Sequence, residues 1–274
     1  MKKLFLQVAL LFTMILFVQS LNSPGNNVDN NTKEIEPEMD LFLLIGQSNM
    51  AGRGELDSIK LDLRGIYVLN KENEWEQASE PIHFDKSVAG ACLATTFAID
   101  VKNKSGKEIG LISCAIGGTS IDLWMPDVID PVTKVMPYNQ TVQRVKKALE
   151  SGTLRGILWH QGESDSSNGR YLNYADMFNT LLKNLSKDLS LNTDSIPVLV
   201  GELGRFFSSQ QHHKEAVYID SVLHQIAKKK NVYCISSYGL THKGDSTHFD
   251  TKSLRELGKR YAEGYQIVLH RLQN

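Results

Sequence analysis

"LFLLIGQSNMAGRG", Leu41 to Gly54, sets an unbroken apolar run against a turn of small polar residues. A run of this length without alternation reads as a β-strand covered on both faces, the kind found in parallel sheets. It stops at Gly46, and Gln47, Ser48 and Asn49 follow at once. Such an ending is either an ordinary strand-to-helix turn or a place where a hydroxyl is displayed for chemistry. The rest of the chain has to choose.

Working outward, strands are expected at 41–45, 66–69, 109–113, 156–160, 196–201 and 232–235. Between them lie amphipathic segments. Tyr174, Phe178, Leu181, Leu185 and Leu189 recur at helical spacing, as do Ile219, Leu223 and Ile226, and Leu254, Leu257, Tyr261, Tyr265 and Val268. Strands alternating with helices predict an α/β domain of three layers, α/β/α, with a doubly wound parallel sheet.

The first 20 residues carry Lys2 and Lys3 ahead of an apolar stretch too short to span a bilayer, and read as a cleaved signal peptide. Residues 21–39 are polar and Asn-rich and read as a flexible lead-in. Residues 40–274 remain as one domain. The protein is therefore expected to be exported, periplasmic or extracellular, with no membrane association after signal cleavage. Lys and Arg number 30 against 31 Asp and Glu, for a net charge of −1, and no basic stripe occurs. That argues against a nucleic-acid partner. The sequence does not indicate an oligomeric state.

Four small polar clusters follow predicted strands: "GQSN" (46–49), "AIGGTS" (115–120), "QGESD" (161–165) and "GDSTHFD" (244–250). In a doubly wound sheet, ligands bind beyond the carboxyl ends of the strands. Ser48 needs a base to become a nucleophile, and His248 is the natural candidate. Asp245, three residues before His248, is spaced to reach its Nδ1–H, although Asp245 or Ser246 would also serve as a helix cap. Gly117 and Gly118 let the backbone turn an N–H toward an oxyanion, and Gln161 offers a side-chain amide there. Glu163 is either a second carboxylate orienting His248 or part of a buried hydrogen-bond network. No set of side chains has metal-site spacing. Cys92, placed in a helix, and Cys114 and Cys234, placed in strands, read as buried thiols, with one disulfide permitted by export.

Together "GQSNMAGRG", "AIGGTSIDLW", "LWHQGESD" and "DSTHF" resemble, in that order, the carbohydrate acetylesterases of carbohydrate esterase family six. The sialate O-acetylesterases share that domain, within the wider SGNH hydrolase group. The resemblance runs from about Asp40 to Gln266 and implies a flavodoxin-like SGNH fold without a metal or organic cofactor. It implies Ser48 as nucleophile, His248 as general base, and an oxyanion hole formed by the Ser48 and Gly118 amides and the Gln161 side chain. Asp245 holds the broad group's triad position; in the acetylesterase branch the acid has also been placed where Glu163 stands. Asp245 is the favoured partner. Gln47 and Gln161 stand where the broader group carries Asp and Asn. The stretch "SVAGACLATTFA" has fewer glycines than the family pattern, which leaves one pocket wall open.

The expected activity is removal of O-acetyl groups from a carbohydrate, as by an acetylxylan esterase, through an acetyl-enzyme. The alternatives are a 9-O-acetylesterase acting on sialic acid, or a carbohydrate-binding domain without catalysis. Gln47, Asn49, Arg53 and Trp124 are the expected substrate contacts, with an ion pair and a packed aromatic as the other readings of Arg53 and Trp124.

Overall fold

Strand β1 (Met39–Gly46) is buried along its whole length, and its side chains divide between two cores. Leu41, Leu43 and Ile45 enter one cluster, while Phe42 and Leu44 enter the other. A strand with period two and apolar residues at both parities must be covered on both faces. The computed structural model describes residues 38–210 and 213–274. The expected signal peptide and nearly all of the lead-in lie outside these residues.

β1 pairs in parallel with β4 (Ile109–Ser113) on one side and β5 (Gly152–His160) on the other. The sheet runs β3-β2-β4-β1-β5-β6-β7, in which β2 (Ile66–Leu69), β6 (Val198–Gly201) and β7 (Val232–Ile235) extend the parallel set and β3 (Trp75–Gln77) is the edge. The order β4-β1-β5-β6-β7 is flavodoxin-like, and it reverses direction at β1. The crevice beyond the β1 carboxyl end is therefore where this fold exposes a ligand site. The three-layer α/β/α expectation holds.

One face of the sheet is covered by α2 (Leu93–Ser105) and α7 (Thr251–Gln273), which pack on each other. The other face is covered by α3 (Pro137–Ala148), α4 (Tyr174–Leu189) and α6 (Ala216–Ile226). Among the described residues, no helix is long and apolar enough to cross a membrane.

The structure departs from expectation at the edges of elements. β1 begins at Met39, inside the assigned lead-in, and β5 begins at Gly152 rather than 156. β3 (Trp75–Gln77) pairs antiparallel with β2. It escaped the sequence reading because two of its three residues are polar and it forms only the sheet edge. Cys92 caps α2 instead of lying within it, and Cys92, Cys114 and Cys234 are all free thiols.

Phe42 is the centre of an aromatic group on the α2–α7 face. Its ring meets Phe97 at 5.0 Å and Tyr265 at 5.2 Å, both edge to face. Replacing it by Ala leaves a cavity that neither helix can fill without breaking its contact with the other. Phe42→Ala is expected to cost about 3–5 kcal/mol of stability, measured by urea unfolding.

Candidate active site

The chain leaves β1 at Gly46 and turns through Gln47 into the single helical turn α1 (Ser48–Ala51). This places the Ser48 hydroxyl at the β1 carboxyl end. From the other side, the loop ahead of α7 delivers His248, whose Nε2 lies 3.0 Å from Ser48 Oγ. His248 Nδ1 lies 2.7 Å from Asp245 Oδ2. Asp245 Oδ1 accepts the backbone N–H groups of Thr247 at 2.9 Å and His248 at 2.8 Å. Desolvation works against its charge, but these N–H groups and the His248 ring prevail and hold its carboxyl down to about 2. Asp245 is thus an anion at neutral pH, fixed on the ring nitrogen that faces away from Ser48.

The His248 loop is mostly exposed and is held from below. Asn49 Nδ2 donates to Thr247 O at 3.1 Å, and Phe249 N donates to Asn49 Oδ1 at 3.1 Å. The Asn49 amide therefore grips the backbone on both sides of His248. Phe249, fully buried, anchors the loop edge to face with His160 at 5.7 Å and with Phe206 at 5.1 Å.

Glu163 lies behind Asn49, accepting its Nδ2 at 2.5 Å through Oε1. The other oxygen, Oε2, is buried without a partner. Burial lifts its carboxyl to about 7, with the Asn49 amide and its own backbone pulling the other way. Glu163 touches Asn49 rather than His248, so Asp245 alone meets the imidazole. Glu163 belongs to the buried network.

The second glycine after β4 supplies an open amide. Gly118 has φ +90°, a conformation an L side chain rarely adopts. At Gly117 a Cβ would stand 3.4 Å from Ser48 Cβ and 2.5 Å from Arg53 Nη2, so this backbone packs directly beside the serine. Among the described residues the Ser48 and Gly118 N–H groups have no acceptor, while Gly117 N donates to Asp85 Oδ2 at 2.8 Å.

Five side chains expected at the substrate are turned elsewhere. Gln161 is fully buried, and its Nε2 faces Asp165 Oδ2 at 2.6 Å, Thr119 O at 3.0 Å and Gln47 Oε1 at 3.1 Å. Two hydrogens already have three acceptors, so the Gln161 amide is committed to bracing the turn. Gln47 is committed to Gln161 and to Ser164 N, and Asn49 to the His248 loop. Arg53 forms a buried ion pair with Asp85 at 2.6 Å. Trp124 is wholly buried, with Nε1 on Thr119 Oγ1 at 3.1 Å and its ring against Trp159. All four are engaged in contacts within the fold.

Sequence reasoning missed Asp85, which orders both Arg53 and the Gly117 amide. It sits in an irregular stretch outside every motif, where no local signal marks it. Among the described residues, one set of side chains could hold a metal ion: Glu202, His224 and Cys234, with donor atoms within 4.8 Å of one another. None of them belongs to the Ser48 cluster.

Residues 38–267 match the family model described as carbohydrate esterase, sialic acid-specific acetylesterase. A probable carbohydrate esterase of Arabidopsis thaliana is 30% identical over 268 residues, covering 89% of this chain and 96% of that protein. A crystal structure of an Arabidopsis thaliana protein aligns with a TM-score of 0.73 at 29% identity, covering 84% of this chain and 98% of the other. A carbohydrate acetylesterase from Xanthomonas citri shares the fold, with a TM-score of 0.66 at 17% identity, over 84% of this chain and 57% of its own.

The buried Glu163 carboxyl gives a pH signature. Between its ordinary value of 4.5 and about 7, the folded protein retains a proton that the unfolded chain has released. Its contribution to stability therefore falls as pH rises through that window. Glu163→Gln removes this contribution, so the variant should gain stability relative to the parent from pH 4.5 to 7. Contributions from His83 and His160 are common to both proteins, and loss of the Glu163 charge eases the strain on the Asp220 carboxyl in the same stabilising direction. Urea midpoints at several pH values measure the difference.

Proposed function

This chain belongs to the carbohydrate esterase, sialic acid-specific acetylesterase family, and from that premise we propose that it is a serine esterase removing O-acetyl groups from carbohydrates. The reading is carried by one observation: the continuous contact from Asp245 through His248 to Ser48, at 2.7 and 3.0 Å, beside two unpaired backbone amides.

In this mechanism His248 Nε2 takes the Ser48 proton as Oγ attacks the acetyl carbonyl carbon. The carbonyl π-electrons move to oxygen, and the resulting oxyanion is met by the Ser48 and Gly118 N–H groups. Asp245 stabilises the imidazolium and fixes the tautomer that leaves Nε2 free to accept. The tetrahedral intermediate collapses, the sugar–oxygen bond to the acyl carbon breaks, and His248 gives its proton to the leaving sugar hydroxyl. Water then attacks the acetyl-enzyme with His248 as base, releasing acetate and restoring Ser48. Two amides in a partly dry site contribute on the order of 3 kcal/mol each to the barrier reduction. Ser48 is only 7% exposed, which suits an acyl group as small as acetyl.

The same reading places the protein's work outside the cytoplasm, on the strength of the basic and apolar segment 1–20. N-terminal analysis of the exported protein should then find Leu21 first.

Acetate release from acetylated xylo-oligosaccharides and from O-acetyl sialic acids tests the activity and ranks the substrates. Ser48→Ala should abolish release and labelling by a serine-directed fluorophosphonate. Asp245→Asn should lower kcat by about 10³ to 10⁴, because the tautomer is no longer fixed, whereas Glu163→Gln should retain most of it. Failure of the native protein to release acetate from any of these esters would favour a binding domain without catalysis.

A further inference from the structure

On the β2–β4 side of Ser48 a cavity of about 280 Å³ opens, lined by Lys71, His83, Phe84, Ile116, Thr133 and Gln140. Asp85 also lines it, and Asp85 holds the Gly117 amide beside Ser48. One carboxylate thus separates the cavity from the candidate nucleophile. A second cavity, of about 410 Å³, shares Lys71, His83 and Phe84 with the first. With three lining residues in common, the two adjoin and are taken together as one groove.

The lining is unusual in two respects. His83 is 2% exposed, yet neither ring nitrogen has a hydrogen-bond partner. Burial pushes its pKa down to about 4, with Asp85 opposing and Arg53 and Arg144 assisting, so the imidazole stays neutral. Phe84 is the other feature, a large ring 39% exposed and backed by the Arg144 guanidinium at 5.0 Å from its centroid. The one carboxylate among the residues lining the first cavity, Asp85, is already neutralised by Arg53. An open aromatic ring, a neutral imidazole, an amide and an ammonium suit an uncharged polyhydroxylated ring. The first compartment lies at the small end of ligand sites, enough for one such ring.

We propose that this groove binds the sugar residues flanking the acetylated one, so that the protein acts on an oligosaccharide or polysaccharide in preference to a free acetylated monosaccharide. Phe84 would stack on the apolar face of the adjoining sugar, with Gln140 and Lys71 meeting its hydroxyls and the neutral His83 ring forming part of the wall. This inference rests on the esterase reading for which sugar carries the ester, but its test does not require turnover.

Ser48→Ala protein is titrated by calorimetry with mono-, di- and trisaccharides of β-1,4-linked xylose, mannose and glucose. In at least one series the trisaccharide should bind about tenfold more tightly than the monosaccharide, the scale of a good aromatic contact. Adding Phe84→Ala should remove most of that gain, and adding Lys71→Ala should remove part of it. Phe84→Leu, which preserves bulk without a flat ring, replaces Phe84→Ala if the latter fails to melt like its parent. Affinity independent of length in every series would overturn the proposal. So would a folded Phe84 variant that keeps the full length dependence. Hydrolysis of 4-nitrophenyl acetate by the native protein tests the esterase reading separately, so either idea can fail alone.

Discussion

A single side-chain amide, that of Asn49, joins two stretches of chain about two hundred residues apart. The loop carrying His248 has little apolar surface of its own apart from Phe249, and ordering it costs about 1–2 kcal/mol per residue. Asn49 offsets part of that cost by binding the backbone immediately before and after the imidazole. Because Asn49 is the neighbour of Ser48 in the same helical turn, gripping the loop also sets the distance from hydroxyl to ring. A displacement of about 1 Å at this contact can cost about a hundredfold in rate. The 3.0 Å separation of Ser48 and His248 is in that sense a property of Asn49 and of what holds it.

What holds it is Glu163, and the contrast between the two acids of the site is set by surroundings. Asp245 sits at the rim among N–H groups and stays ionised, while Glu163 is enclosed and resists ionisation. Pairs of carboxyls pushed apart in this way are a recurrent means of giving like groups unlike tasks. In the proposed mechanism one steadies a charge formed during the reaction, while the other holds a neutral amide in place.

The sequence made the architecture legible because burial leaves a mark in composition. The run 41–45 could only be a strand covered on both faces, and the stripes at 174–189 and 254–268 could only be helices against it. The polar clusters were legible for a related reason: small polar residues interrupt apolar strands where the sheet opens. The use each side chain makes of its atoms was not legible. Gln161 looks like a free donor until Asp165, Thr119 and Gln47 converge on it from three segments. Trp124 resembles a sugar platform until Trp159 closes over it. Asp85 lies in no pattern at all, and β3 is too short and too polar to show a period.

The β2–β3 hairpin sits outside the flavodoxin-like strands, and its turn carries Lys71 to the edge of the groove. In the proposed mechanism the groups that make and break bonds come from β1, β4 and the segment before α7, and of these the hairpin pairs with β4 alone. On the proposed reading, chemistry and choice of substrate reside on largely different pieces of chain, and one can drift while the other stays fixed. A longer or shorter turn at 70–74 would redraw the groove at an edge of the sheet, provided Arg144 kept its acceptors at Asn70 and Asn73. A change confined to that hairpin would leave the contacts among Ser48, His248 and Asp245 in place.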